Sequence, residues 1–105
     1  MSEIISEIHS LFGFSAEHIG KAIVQRAVGG QDQTLDVSGC LYRDCNIPAW
    51  AERAAALWVI ELWTAERDAC TAGELLTVDR KYSRILRRYS MADIISFRNE
   101  VLAKR

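Results

Sequence analysis

The chain has 105 residues and a mass of 11.8 kDa, which is the size of one domain and leaves little room for a second. Half of its residues are hydrophobic and 26% are charged, so it has the apolar side chains for a core and is not a disordered chain. Thirteen Lys and Arg against fourteen Asp and Glu give a formal charge of -1, which disfavours both a uniformly basic nucleic-acid binder and an acidic tail protein.

The first residues, Met1-Ser2-Glu3-Ile4-Ile5, carry no basic region followed by an apolar run and a cleavage site, so a secretory signal is not expected. Ile4, Ile5, Ile8, Leu11 and Phe12 recur at helical spacing, and Gly13 stops this first helix. Ser15 is placed to cap a second helix, with Glu17 in its first turn. That helix has Ile19, Ala22, Ile23 and Ala27 on one face, and Gly29-Gly30 is expected to end it. Residues 31–46 are the least regular stretch. Leu35, Val37 and Leu41 alternate loosely with polar residues, which suits an extended arm, a small hairpin or a loop.

Pro48 favours the first turn of a helix, with Asn46 or Ile47 as its cap. From Pro48 to about Cys70 the chain is rich in Ala, Leu and Glu, all good helix formers. At about 100° per residue, Trp50, Ala51, Ala54, Trp58 and Leu62 share one side, while Ala56, Val59, Ile60 and Trp63 lie largely opposite. A helix apolar on both sides is buried on both sides. The second side is covered either by the rest of the chain or by another protein. Tryptophan is enriched among binding hot spots, so Val59, Ile60 and Trp63 are expected to mediate a homodimer. No run of about twenty uncharged apolar residues exists, and no helix is expected to span a membrane.

Thr71-Ala72-Gly73-Glu74 has the capping-box form. Leu75, Val78, Tyr82, Ile85, Leu86 and Tyr89 follow as a helical stripe. Ser90 then suits the cap of a last helix that buries Met91, Ile94, Ile95, Val101 and Leu102. The expected fold is all-α: one domain over residues 1–105, a compact bundle of about five helices around the central Pro48 helix. Its loops other than 31–46 are short, which favours antiparallel neighbours.

Charge is segregated along the chain. Residues 1–70 hold five basic and ten acidic residues, whereas 71–105 hold eight basic and four acidic. Arg80, Arg84, Arg87 and Arg88 fall at i, i+4, i+7 and i+8, with Lys81 beside them, opposite the apolar stripe. Such a face is either solvated or paired with the acidic residues of 1–70, or it docks an acidic protein partner, or it contacts phosphates. A helix-turn-helix across Tyr89-Ser90 is weakly supported. Arg98 and Asn99 are residue types that read base edges, but Asp93 and Glu100 would repel phosphates.

Catalytic chemistry is poorly represented. Cys40, Cys45, Cys70, His9 and His18 form no complete metal-ligand pattern, and no motif brings a cysteine and a histidine together as nucleophile and base. Glu61 and Asp68 share a side of the central helix and read as its polar edge, as do Glu66 and Arg67. No phosphate-binding glycine loop is present. An odd cysteine count without a signal argues against a disulfide framework and for the cytoplasm. The sequence therefore leads to a non-catalytic module without cofactor or metal, one that binds and modulates or inhibits a larger protein. The alternative is a nucleic-acid-binding regulator that uses the helix around Arg80–Arg88.

Overall fold

The computed structural model describes residues 4–27, 35–41 and 45–104. These residues form α1 (Ile4–Phe12), α2 (Ala16–Arg26), α3 (Ala49–Ala69), α4 (Leu75–Leu86) and α5 (Met91–Ala103). Short 3-10 turns lie at Ser38–Cys40 and Ala72–Glu74. There is no strand among the described residues, and the fold is all-α as expected. The chain divides into two units, Met1–Trp58 and Val59–Arg105, with the division inside α3.

In the first unit the isoleucine stripe of α1 does what its spacing predicts: Ile4, Ile5 and Ile8 are fully buried. Gly13 ends the helix with φ +74°, and its N–H donates to the His9 carbonyl at 2.8 Å. Only glycine takes that conformation without a Cβ penalty. The Ser15 hydroxyl then accepts the His18 N–H at 3.1 Å, which fixes the start of α2. Helix α2 buries Ile19, Ala22 and Ile23. It ends at Arg26, with Ala27 already extended. The glycine pair expected to end it, Gly29-Gly30, lies outside the described residues.

Gly20 explains how the following segment reaches α2. A Cβ built on Gly20 would sit 2.5 Å from the Leu35 carbonyl oxygen, so the absent side chain is the space that this backbone occupies. Instead of continuing extended, Asp36 turns the chain. Its Oδ1 accepts the Ser38 N–H at 3.0 Å and the Ser38 hydroxyl at 2.6 Å. This is the local side-chain bonding that competes with regular structure. The resulting 3-10 turn buries Val37 and Cys40, and Cys40 forms a disulfide with Cys45. The expectation of unpaired cysteines is thereby corrected: the turn brings two of them together, and the odd count reflects Cys70, the one free thiol among the described residues.

Helix α3 starts directly after Pro48, whose carbonyl accepts the N–H groups of Ala51 and Glu52 at 3.0 Å each. Ala51 and every residue from Ala54 to Ile60 are buried. Trp58 is packed among rings. Its ring centroid is 5.2 Å from that of Phe14 and 5.8 Å from that of His18, both stacked. The Arg26 guanidinium lies 5.6 Å above it.

In the second unit, Thr71 and Glu74 form the expected capping box, with the Thr71 N–H donating to Glu74 Oε1 at 3.0 Å. The box starts a 3-10 turn, and α4 follows at Leu75. Tyr82, Ile85 and Leu86 are buried. Ser90 caps α5 by accepting the Asp93 N–H at 3.1 Å. Helix α5 departs from the sequence reading. Val101 is buried, but Met91, Ile95 and Leu102 are exposed. The five residues read as one apolar face are in fact two faces, whose centres lie about 90° apart at 100° per residue.

Two outcomes test this arrangement. Gly20→Ala is expected to destabilise the protein by about 1–3 kcal/mol in chemical denaturation, because the new methyl meets a backbone carbonyl. Helix propensity alone predicts stabilisation of about 1 kcal/mol, so the sign decides. Alkylation of the unfolded, unreduced chain is expected to add one label by mass spectrometry, at Cys70, and three after reduction.

Candidate interaction surface

The apolar side of α4 fixes where its charges point. With Tyr82, Ile85 and Leu86 inward, Arg80, Lys81, Arg84 and Arg87 are exposed and Arg88 is half-buried. These side chains are not equivalent. Lys81 Nζ is 2.9 Å from Glu66 Oε1 and lies 5.6 Å above the Tyr82 ring. Its charge is thus shared with a carboxylate, and it drops out of the free basic patch. Arg80, Arg84 and Arg87 form no ion pair among the described residues. They span about 10 Å of helix, at roughly 1.5 Å per residue. The exposed cations of α4 without an ion partner among the described residues form a ridge of three arginines, within the five-residue patch read from the sequence.

Two acidic anchors hold the ridge in place. Asp79 accepts the Trp63 indole N–H at 2.9 Å, and its two oxygens lie 2.5 and 2.6 Å from Arg67 Nη1. The Arg67 guanidinium also lies 5.5 Å over the Trp63 ring. The Arg67 and Trp63 hydrogen bonds hold the Asp79 carboxyl below its ordinary value. Burial pushes the Tyr82 hydroxyl well above its ordinary pKa, and the neighbouring Glu66 carboxylate pushes it further. For Glu66 burial acts upward, but the Tyr82 hydroxyl and the Lys81 ammonium outweigh it and hold the carboxyl low. Glu66 and Arg67, read from sequence as surface charges, thus join the end of α3 to α4. The available signal was Asp79, an acid three residues before Tyr82 on the flank of an apolar stripe.

The expected self-association residues have other work. Val59 and Ile60 are each 1% exposed within the chain itself, so they offer no surface to a second copy. Trp63 is half-buried and engaged with Asp79 and Arg67. The two-sided apolar helix is covered on both sides by its own chain, which is the first of the two outcomes its pattern allowed.

No cluster of three or more His, Cys, Asp or Glu able to hold a metal exists among the described residues. His9 Nδ1 lies 2.8 Å from the Phe14 carbonyl, and His18 stacks on Phe14 with centroids 4.5 Å apart. Both histidines therefore serve the packing of the first unit. A groove of about 700 Å³ runs beside α2, lined by Gly20, Val24, Leu35 and Val37. Its rim charges pair with each other, Lys21 with Glu17 at 2.9 Å. No helix among the described residues is long and apolar enough to cross a membrane. Comparison with known proteins matches no protein family, no curated protein and no solved structure.

The depressed Asp79 carboxyl gives the second unit a pH signature. A carboxyl whose folded pKa lies below its unfolded value stabilises the fold fully above that unfolded value, near 3.8. The contribution is lost as pH falls through the folded pKa. Asp79→Asn is expected to lower the thermal midpoint at about pH 7, and the difference from wild type is expected to shrink as pH falls below 3.8 and through the folded pKa of Asp79. Thermal melts across that range check both points.

Proposed function

We propose that the protein is a non-catalytic interaction module that binds, and modulates or inhibits, a larger protein through an acidic surface on that partner. The observation that supports this is the ridge Arg80, Arg84 and Arg87, exposed and without an ion partner among the described residues. Unpaired cations raised on one rigid helix steer an acidic partner and fix its register. Leu76, 61% exposed, lies within about 40° of Arg80 and Arg87 around α4. An apolar side chain in line with the arginines suits a protein surface better than a phosphate backbone, so the protein partner is preferred to nucleic acid. The residues that would carry binding are Arg80, Arg84 and Arg87, with Arg88 at their edge. Homodimerisation through Val59, Ile60 and Trp63 is not part of this reading. In a cytoplasmic setting the Cys40–Cys45 pair would be held reduced.

The test is capture from lysate of the source cells by the tagged protein, with and without nuclease, read by mass spectrometry. A stoichiometric protein is expected to survive nuclease and to fall at least about tenfold with Arg84→Glu/Arg87→Glu, equivalent to about 1.4 kcal/mol. Recovery of nucleic acid alone, with a steep loss on added salt, would replace this reading with the nucleic-acid alternative. Capture unchanged by the double variant would remove the ridge from the mechanism.

A further inference from the structure

Helix α5 presents a second surface that the basic ridge does not explain. Met91, Ile95 and Leu102 are 70%, 53% and 40% exposed. Around the helix they fall within about 40° of one another, and along it they span about 16 Å. They are not the edge of the core, because the inward side is a separate set: Val101 is buried and Ile94 and Phe97 are half-buried. Phe97 packs edge-on against Tyr89 with centroids 5.7 Å apart. The Ser90 cap fixes the first turn, so the helix is formed before anything docks on it and the ordering cost of binding is low.

The charge within the stripe says what can cover it. Arg98 lies at the seventh position after Met91, about 20° from it around the helix. It is exposed and has no ion partner among the described residues. An occupant that covers Met91, Ile95 and Leu102 also removes water from Arg98, and a desolvated guanidinium without a counter-charge is strongly unfavourable. The occupant must therefore bring a carboxylate. A second copy of this chain pairing through the same face of α5 does not. Parallel pairing of two α5 helices sets Arg98 against Arg98. Antiparallel pairing that places Met91 against Leu102 leaves the two Arg98 residues about 5 Å apart along the axis, again a like-charge contact.

Resting on the reading that the chain acts by binding a protein, we propose that this face of α5 docks an amphipathic helix of another protein. That helix presents apolar side chains at three- and four-residue spacing and an Asp or Glu opposite Arg98. Spacings of four, three and four residues along Met91, Ile95, Arg98 and Leu102 match those of a helix packing nearly aligned on a second helix. Three apolar anchors make a small interface, of the kind found in transient complexes.

The probe is a phage-displayed library of random sixteen-residue peptides, selected on the full-length protein. Enriched peptides are expected to be helical on binding, to repeat apolar residues at three- and four-residue spacing and to carry one acidic residue. Their affinity is expected to fall at least tenfold on Ile95→Ser and on Arg98→Glu. Replacing the peptide's acid by lysine is expected to restore binding to Arg98→Glu, a charge swap that a merely structural role for Arg98 would not produce. Both side chains are exposed, so circular dichroism and the thermal midpoint should match wild type. Absence of enrichment, or enriched peptides indifferent to both substitutions, overturns the proposal. So does sedimentation of the free protein as a dimer that Ile95→Ser makes monomeric, since a second copy then covers the face. Arg84→Glu/Arg87→Glu separates the two surfaces. If it leaves lysate capture intact while the peptides still require Ile95 and Arg98, the ridge fails and the α5 face stands.

Discussion

The constraint with the widest reach along the chain is the burial of the middle of α3. From Ala54 to Ile60 no side chain of that helix reaches solvent. A small domain buries a smaller fraction of its surface than a large one, so enclosing two full turns of one helix commits much of the chain to that task. Small residues make it feasible, because Ala51, Ala54, Ala55 and Ala56 let neighbouring atoms approach closely. Trp58 fills the remaining space in the first unit, beneath the stacked rings of Phe14 and His18. Even the one buried polar side chain in this region is satisfied locally, since the Thr64 hydroxyl donates to the Ile60 carbonyl at 2.8 Å.

With the middle of α3 enclosed, the exposed cations and apolar side chains described above lie on α4 and α5. The polar end of α3 contributes by fixing α4: Trp63 and Arg67 grip Asp79, and Glu66 takes Lys81. These contacts are individually weak where they meet solvent. Their effect is geometric, because they settle which cations on α4 are neutralised and which stand free. The free ones face outward on a helix whose opposite side is anchored by Tyr82, Ile85 and Leu86. Helix α5 adds an apolar surface of its own, so the second unit combines charge and apolar area on formed helices.

Much of the fold was legible in the sequence because its signals are local. Ser15, Ser90 and the Thr71–Glu74 box cap helices where their spacing says they should. Gly13 stops α1, and Pro48 opens α3. What escaped the sequence depends on contacts distant along the chain or on which of two faces wins. Gly20 carries no signal of its own in the sequence, and only the Leu35 carbonyl against it shows why no side chain stands there. Cys40 and Cys45 form a disulfide across a sequence separation of 5, and the odd cysteine count gave no sign of that pairing. Met91, Ile95 and Leu102 were assigned to the core with Val101, since composition does not distinguish an inward stripe from a neighbouring outward one. For the surface, the sequence located the basic face but not its neutralised member. Lys81 is discounted by Glu66, fifteen residues away.

The arginine ridge gives dissolved ions two opposing effects. In the free protein Arg80, Arg84 and Arg87 repel one another across adjacent helical turns, and like charges at such spacings weaken a helix. Counterions relieve that repulsion within the ridge. The same counterions would compete with the proposed acidic partner for the same guanidinium groups. On the proposed reading, the ionic conditions that ease the ridge most would be those in which it holds a partner least well, and the partner's own carboxylates would relieve its repulsion most fully.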